Sequence, residues 1–376
     1  MKTIFANSLV KKVLIFIIVM LVIAGVVYFR PQRAVYTGDK PVIKIGFIAP
    51  LTGDNALIGT KCLQGVELAL DKIQDDAFHY ELIVENDQFQ AMRSVTAANK
   101  LLNLDKVDFL YLCSATSGQS VVHLADPKKI FMMSINSSDT RFAAASPYSF
   151  LHWVPARKEG EQAVKIFKKY GAKKVLFLVT VHPGSEGMYR GISEEARKAG
   201  IEVVKMSIMP HDRDYTTIVQ KAVRKGADMW HILVIDPGLT LLGKRMFEQN
   251  VKIPYSSSEL PNFVQNKAMF EGIYFTDAYE GAPEVIEAYR KKYKTNNVYS
   301  VAYAYDAMLI IDKLHRDFFA EHGRLPNGPE LSAALQNMQG YSGAVGPVSV
   351  DKDGVLQSEA IIRTFRNGEA VSVELE

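Results

Sequence analysis

The sequence predicts an α/β protein built as two doubly wound parallel-sheet lobes behind an N-terminal transmembrane segment. Three observations carry that expectation. Strand-like and helix-like runs alternate with few breaks from residue 42 to residue 276. About eight such units are present, more than one open sheet holds comfortably. A seventeen-residue apolar run, 13–29, stands alone near the start, framed by Lys11, Lys12 and Arg30.

The elements justify themselves in chain order. Residues 13–29 as a helix reach roughly 26 Å, enough for a thin hydrocarbon core, so an uncleaved anchor is expected over a cleavable signal peptide. Both readings assign 1–34 to a signal anchor or signal peptide and export the remainder. VIKIGFI (42–48), YELIVE (80–85), DFLYLC (108–113) and IFMMSI (130–135) read as strands, separated by helical spacing at 60–75, 91–104 and 118–126. KKVLFLV (173–179), IEVVKM (201–206), MWHILVI (229–235) and GIYFT (272–276) repeat the pattern, with helices at 157–170, 187–199, 214–225 and 239–249. Strands joined by crossover helices form parallel sheets covered on both faces. PYSFLHWVPAR (147–157) has no strand character and reads as the first passage between lobes. Helices at 283–293, 299–320 and 328–338 follow, and then GPVSVDKDGVL and two short strands.

Charge excludes one large function class. Residues 1–40 hold six of the 44 Lys/Arg and one of the 41 Asp/Glu, so the exported part carries 38 basic against 40 acidic residues. Such a mixed surface offers no footprint for nucleic acid. Two cysteines, Cys62 and Cys113, can form at most one bridge, so size rather than cross-linking stabilises the domain.

The motifs that suggest chemistry fail on inspection. The loop after the first strand, APLTGDNALIG, spaces Gly53 and Gly59 six apart and carries Asp54, which rules out a dinucleotide cradle. GLTLLGKR (238–245) has a P-loop frame but puts Arg245 where magnesium needs Ser or Thr, and its interior is helix-forming. No His pair has metal spacing, and GSEG and GYSG lack the nucleophile-elbow pattern. Asp214 reads as a helix N-cap. The expectation is a protein that is not an enzyme and carries neither cofactor nor metal.

Small hydroxyl residues do cluster where ligands bind in open α/β sheets, beyond the carboxyl ends of strands. CSATSG (113–118) and INSSDT (135–140) follow the third and fourth strands and face one crevice. Hydroxyls and free N–H groups at a helix start suit a carboxylate.

With those residues in view, the chain resembles periplasmic substrate-binding proteins of the leucine/isoleucine/valine-binding type. The resemblance runs through IKIGFIAPLTGDNALIGTKCLQGVELALDKI, ENDQFQAMRSVTAANKLL, YLCSATSG, RDYTTIV, YSSSE and VGPVSVDKDGVL, in that order, over about 42–360. It implies the type I periplasmic binding protein fold, with 41–153 plus 278–342 as the first lobe and 154–277 plus 343–376 as the second. It places the ligand carboxylate against Ser114, Ala115, Asn136 and Ser138, and the ligand ammonium against Glu259. It places Ile58, Gly184 and Ile235 where the family has pocket aromatics, with Asp236, His182 and Tyr279 as polar neighbours. Some members bridge a cysteine matching Cys113 to the loop after the second strand. That position here is Phe89, so both thiols are expected to be free.

The function implied is an extracytoplasmic solute-binding protein that captures an amino acid or related small carboxylate or amine by cleft closure. It would deliver that ligand to the permease of an ABC importer while anchored to the inner membrane by residues 13–29. A membrane-anchored ligand sensor or adaptor of the same fold, signalling through a partner protein, is the alternative.

Overall fold

The structure, a computed structural model, describes residues 40–73, 77–264 and 266–375. The apolar run 13–29 and the 1–34 signal segment lie outside the described residues. Among those described, no helix is long and apolar enough to cross a membrane.

Two sheets organise the chain. The first contains β1 (Val42–Ala49), β2 (His79–Asn86), β3 (Phe109–Leu112), β4 (Phe131–Ser134) and β5 (Ser149–Leu151), in the order β2-β1-β3-β4-β5 and parallel throughout. The second contains β6 (Lys174–Thr180), β7 (Glu202–Ile208), β8 (Met229–Leu233), β9 (Tyr255–Ser258) and β10 (Tyr274–Ala278). A two-residue ladder, β11 (Ser342–Gly343) with β12 (Gly346–Pro347), stands apart. β13 (Ala360–Arg366) and β14 (Glu369–Val373) then join the second sheet, whose order is β14-β13-β10-β9-β8-β6-β7.

The second sheet is not parallel throughout: β13 runs antiparallel to β10, and β14 antiparallel to β13. A tight turn at Asn367–Gly368, both at positive φ, makes that hairpin, and a hairpin can only be antiparallel. Central strands β3, β4 and β8 are buried along their whole length, as apolar runs in a parallel sheet require. In both sheets the strand order reverses beside the first strand laid down. β1 lies between β2 and β3, and β6 lies between β7 and β8. Loops leaving the carboxyl ends there are the natural place for a ligand.

Each sheet has its own core. Phe47, Tyr111, Phe131, Trp153 and Tyr303 belong to the first, Phe167, Phe177, Trp230, Phe275 and Phe365 to the second. Helix Val301–His322 packs back on the first core, where Tyr111 donates to the Ala304 carbonyl at 2.7 Å. Ala344, Val348, Val355 and Leu356 also belong to the first core, and Val355 bridges Leu151.

Several sequence expectations are refined or corrected. β5 and β9 escape periodicity, because one has three residues and the other is almost all serine. The β9 hydroxyls are satisfied internally: Ser257 donates to the Ile232 carbonyl at 2.6 Å, and Ser256 and Ser258 flank His231 at 2.9 and 3.2 Å. Helix Gly238–Glu248 spans the P-loop frame, which leaves no phosphate loop there. Gly59 serves packing, since a Cβ on it would stand 2.2 Å from the Pro50 carbonyl oxygen. Asp214 is the N-cap expected, accepting from the Thr217 N–H at 3.0 Å.

The cysteines are not free: Cys62 and Cys113 form a disulfide. Cys62 faces inward from helix Ala56–Lys72 and Cys113 ends β3, which brings their Cα atoms to 6.3 Å. The pairing is one that two buried positions 51 residues apart do not reveal in sequence.

Candidate functional site

Loops from the carboxyl ends of both sheets meet at one place. On the first sheet, helix Ala115–Ala125 starts directly after β3, and Ser114 caps it by accepting from the Ser117 N–H at 3.0 Å. After β4 the chain turns through Asn136 at φ 60°, a conformation asparagine tolerates. Its Nδ2 donates to the Ile58 carbonyl at 3.4 Å, tying this loop to the helix that follows β1. Asn136 Oδ1, Ser134 Oγ and Ser137 Oγ are buried without a partner among the described residues. Buried polar atoms are usually satisfied, so each of these is an exception in the loop after β4.

The second sheet brings a matching helix start. His182 caps helix Pro183–Lys198, its Nδ1 accepting from the Gly184 N–H at 3.2 Å. The hydrogen therefore sits on Nε2, which donates to Thr116 Oγ1 at 2.8 Å. The same ring stacks on Phe89 at 4.4 Å. Burial pushes His182 down to about 4, so the imidazole is neutral at physiological pH. Ser185 Oγ is buried here without a partner among the described residues. A Cβ on Gly184 would stand 3.8 Å from the Ala115 Cβ. One on Gly187 would stand 2.6 Å from the Asp139 Cβ, and Arg190 donates to Asp139 at 2.6 Å. Two helix N-termini thus face each other across hydroxyls, an arrangement that favours a negative ligand group.

Beside this lies a buried acid cluster. Glu259 sits just past β9 at φ 45° and is 2 % exposed. Its carboxyl accepts from Trp153 Nε1 at 2.6 Å and from the Tyr299 hydroxyl at 3.0 Å, with Ser138 Oγ at 3.4 Å. Ser138 also donates to Glu159 at 2.5 Å, and Thr276 Oγ1 lies 3.2 Å from Glu159 and 2.6 Å from Ser258 Oγ. Burial, opposed by those hydroxyls, pushes Glu159 up to about 7. Glu259 is raised further by burial and then by the charges of Glu159 and Asp277. Burial also raises Asp277, although Arg363 at 3.2 Å opposes the shift. No cation touches Glu159 or Glu259 among the described residues, so this cluster holds a proton or welcomes a cationic ligand group.

A sequence profile of periplasmic binding proteins matches residues 42–369. The chain belongs to the periplasmic binding protein family. The Leu/Ile/Val-binding protein homolog 3 of Brucella melitensis is 22% identical over 352 residues, which cover 88% of this chain and 94% of that one. Among solved structures, a leucine-binding protein of Thermotoga maritima superposes with a TM-score of 0.80 at 18% identity, covering 88% of this chain and 98% of that one. A solute-binding protein of an ABC transporter from Rhodopseudomonas palustris, in complex with benzoate, gives 0.77 at 17% identity, covering 89% and 96%.

Within this periplasmic binding protein the expected site residues part into two groups. Ser114, Ala115, Asn136, Ser138, Ile58 and Gly184 come together, and Glu259 reaches Ser138. Asp236 turns instead to its own helix, accepting from the Thr240 N–H at 3.0 Å and hydroxyl at 2.5 Å, and the Ile235 N–H donates to Thr180 Oγ1 at 3.2 Å. Tyr279 is 43 % exposed and lines a different cavity. Sequence reasoning missed Trp153, Tyr299, Thr116 and Glu159. Glu159 sits among Arg157, Lys158 and Glu161 on an amphipathic helix, where nothing distinguishes an inward glutamate from a solvated one.

Proposed function

We propose that this chain is an extracytoplasmic solute-binding protein that captures an amino acid or related small carboxylate or amine by cleft closure and delivers it to an ABC importer. The reading takes the two sheets as two lobes, 41–153 with 278–342 and 154–277 with 343–376. We amend the last boundary so that about 343–358 goes with the first lobe, because Ala344, Val348, Val355 and Leu356 pack in its core. The observation that carries the reading is the meeting of two helix N-termini around the unpartnered Asn136, Ser137 and Ser185, with Glu259 alongside. The Ser137 and Ser185 hydroxyls and the helix-start N–H groups supply donors for a carboxylate, whereas Asn136 Oδ1, an acceptor, and the uncompensated Glu259 suit an ammonium. Closure then follows from contacts that a zwitterion makes with both lobes at once.

Relatives span two ligand classes, one bearing the name of leucine and one holding benzoate. Glu259 discriminates between them. Calorimetric titration with a panel of amino acids and their amine-free analogues tests this on the wild type and Glu259→Gln. An amino acid should lose about 2–5 kcal/mol of affinity in the variant, the usual cost of leaving a buried charge without its partner. Equal binding of an amine-free acid by both proteins would move the ligand class to simple organic acids. Anchoring through residues 13–29 belongs to the same proposal. Fractionation that recovers a soluble form beginning near Gly25 would refute it.

A further inference from the structure

Helix Pro183–Lys198 and its cap His182 press on loops of the first sheet at three separate points. Each contact runs directly between protein groups and needs no third molecule. The first is the stack of the His182 ring on Phe89 at 4.4 Å, with the Thr116 hydrogen bond of 2.8 Å beside it. Phe89 is presented for that contact by a costly turn. Gln88 and Phe89 follow one another at φ 51° and 62°, a left-handed conformation that residues with a Cβ disfavour. Asn86 Oδ1 and Asp87 Oδ1 accept the Gln88 and Phe89 N–H groups at 3.1 and 2.9 Å, and Ser94 donates to Asp87 at 2.8 Å, which fixes the turn.

The second point is Gly187, where a Cβ would stand 2.6 Å from the Asp139 Cβ, so the helix backbone itself lies against the loop after β4. The third is Arg190, three positions on and therefore on the same helix face. Its Nη2 donates to Asp139 Oδ2 at 2.6 Å. The Asp139 side chain is only 3 % exposed, and Arg141 of its own loop also binds it, at 2.7 Å. A charge-assisted bond to a buried carboxylate is stronger than the exposed ion pairs common on this surface.

We propose that this helix face is a clasp that holds the two lobes together whether or not a ligand is present. Arg190 and His182 of the second lobe grip Asp139 and Phe89 of the first. The inference rests on the two-lobe reading given above and adds to it a closing force supplied by the protein. Arg190 is then a positioning residue, acting through the loop that carries Asn136, Ser137 and Ser138. A ligand enters only when the clasp opens and leaves only when it opens again, so the clasp sets the rate of exchange in both directions.

Pulsed dipolar spectroscopy of the full-length chain, without added ligand, tests this. Spin labels go on Met92→Cys and Met209→Cys, positions 79 % and 43 % exposed beyond the carboxyl ends of β2 and β7. Cys62 and Cys113 are bridged and take no label. A single short-distance population should dominate. Arg190→Gln should raise the long-distance fraction about fivefold, as loss of a half-exposed ion pair allows, and Arg190→Lys should restore most of it. Arg190→Gln keeps its fold because Arg141 still neutralises Asp139. Phe89→Ala should raise the fraction independently. Molar salt should raise it in the labelled chain but not in the same chain carrying Arg190→Gln. Lobes already apart without these substitutions would overturn the clasp and leave ligand-driven closure standing. A short distance that neither variant nor salt alters would overturn it too, and would make the two lobes one rigid body.

Discussion

Replacing Glu159 by glutamine should make the protein more stable in mildly alkaline solution and change little in mild acid. Glu159 is fully buried, and its carboxyl is pushed from 4.5 up to about 7. The folded state therefore keeps a proton that the unfolded chain has released, across the window from about 4.5 to about 7. Stability from this group is fully present below that window and declines as pH rises through it. The displacement corresponds to a loss of roughly 3 kcal/mol by pH 8. Glutamine fits the same volume, presents an oxygen and an amide to Ser138 and Thr276, and does not titrate. The three buried histidines whose pKa values burial lowers, His182, His231 and His315, impose an opposite slope at lower pH. They are common to both proteins and cancel in the difference. Urea unfolding of wild type and Glu159→Gln at half-unit steps from pH 5 to 8.5 reads the effect. The variant should gain about 1–3 kcal/mol on wild type between the two ends. A difference that does not change with pH would show that the cluster around Glu159 is solvated or already balanced.

Three further outcomes follow from the same geometry. Under denaturing, non-reducing conditions neither Cys62 nor Cys113 should react with a thiol reagent. Reduction should expose both thiols and cost about 4 kcal/mol, since the bridge closes a chain separation of 51 residues. Gly187→Ala should lower ligand affinity at least tenfold and lower the melting temperature as well, because its Cβ would stand 2.6 Å from the Asp139 Cβ where the two helix starts meet; unaltered affinity in a titration would refute the placement of the ligand there. Ser114→Ala should cost about 1 kcal/mol in thermal unfolding, through loss of the helix cap, whether or not ligand is present.

The sheets were legible because parallel strands buried on both faces are mostly apolar, and β1, β3, β4, β6 and β8 are, with polar breaks only at Lys44, Ser134, Lys174, Thr180 and His231. The hydroxyl-rich loops at 113–118 and 135–140 were legible for a related reason: they fall at strand ends, and topology gathers strand ends. What stayed hidden depends on which way a side chain points. Glu159 and Trp153 carry no local sign of their inward orientation, because the groups that receive them, Ser138, Thr276 and Glu259, lie more than twenty positions away or across the turn of another element. The disulfide was hidden for the same reason. The antiparallel edge made by β13 and β14 was legible only as two short strands, since pairing direction is set by the turn and not by the strands.

The hydrogen-bonded row that starts at Ser138 has a directional property. It continues through Glu159, Thr276 and Ser258 to His231 and ends at Ser256, with His231 wholly buried and kept neutral. A hydroxyl has one hydrogen, so each member beyond Glu159 donates only one way along the row. When Glu159 bears its proton it donates to Thr276, and every hydroxyl turns toward the histidine, which then carries its hydrogen on Nδ1. When Glu159 is ionised it takes the Thr276 hydrogen, the row reverses, and His231 carries its hydrogen on Nε2. The tautomer of an imidazole deep in the second core thus records the charge beside Ser138, and its ring-nitrogen resonances would follow events at the sheet ends without any atom of the backbone having to move.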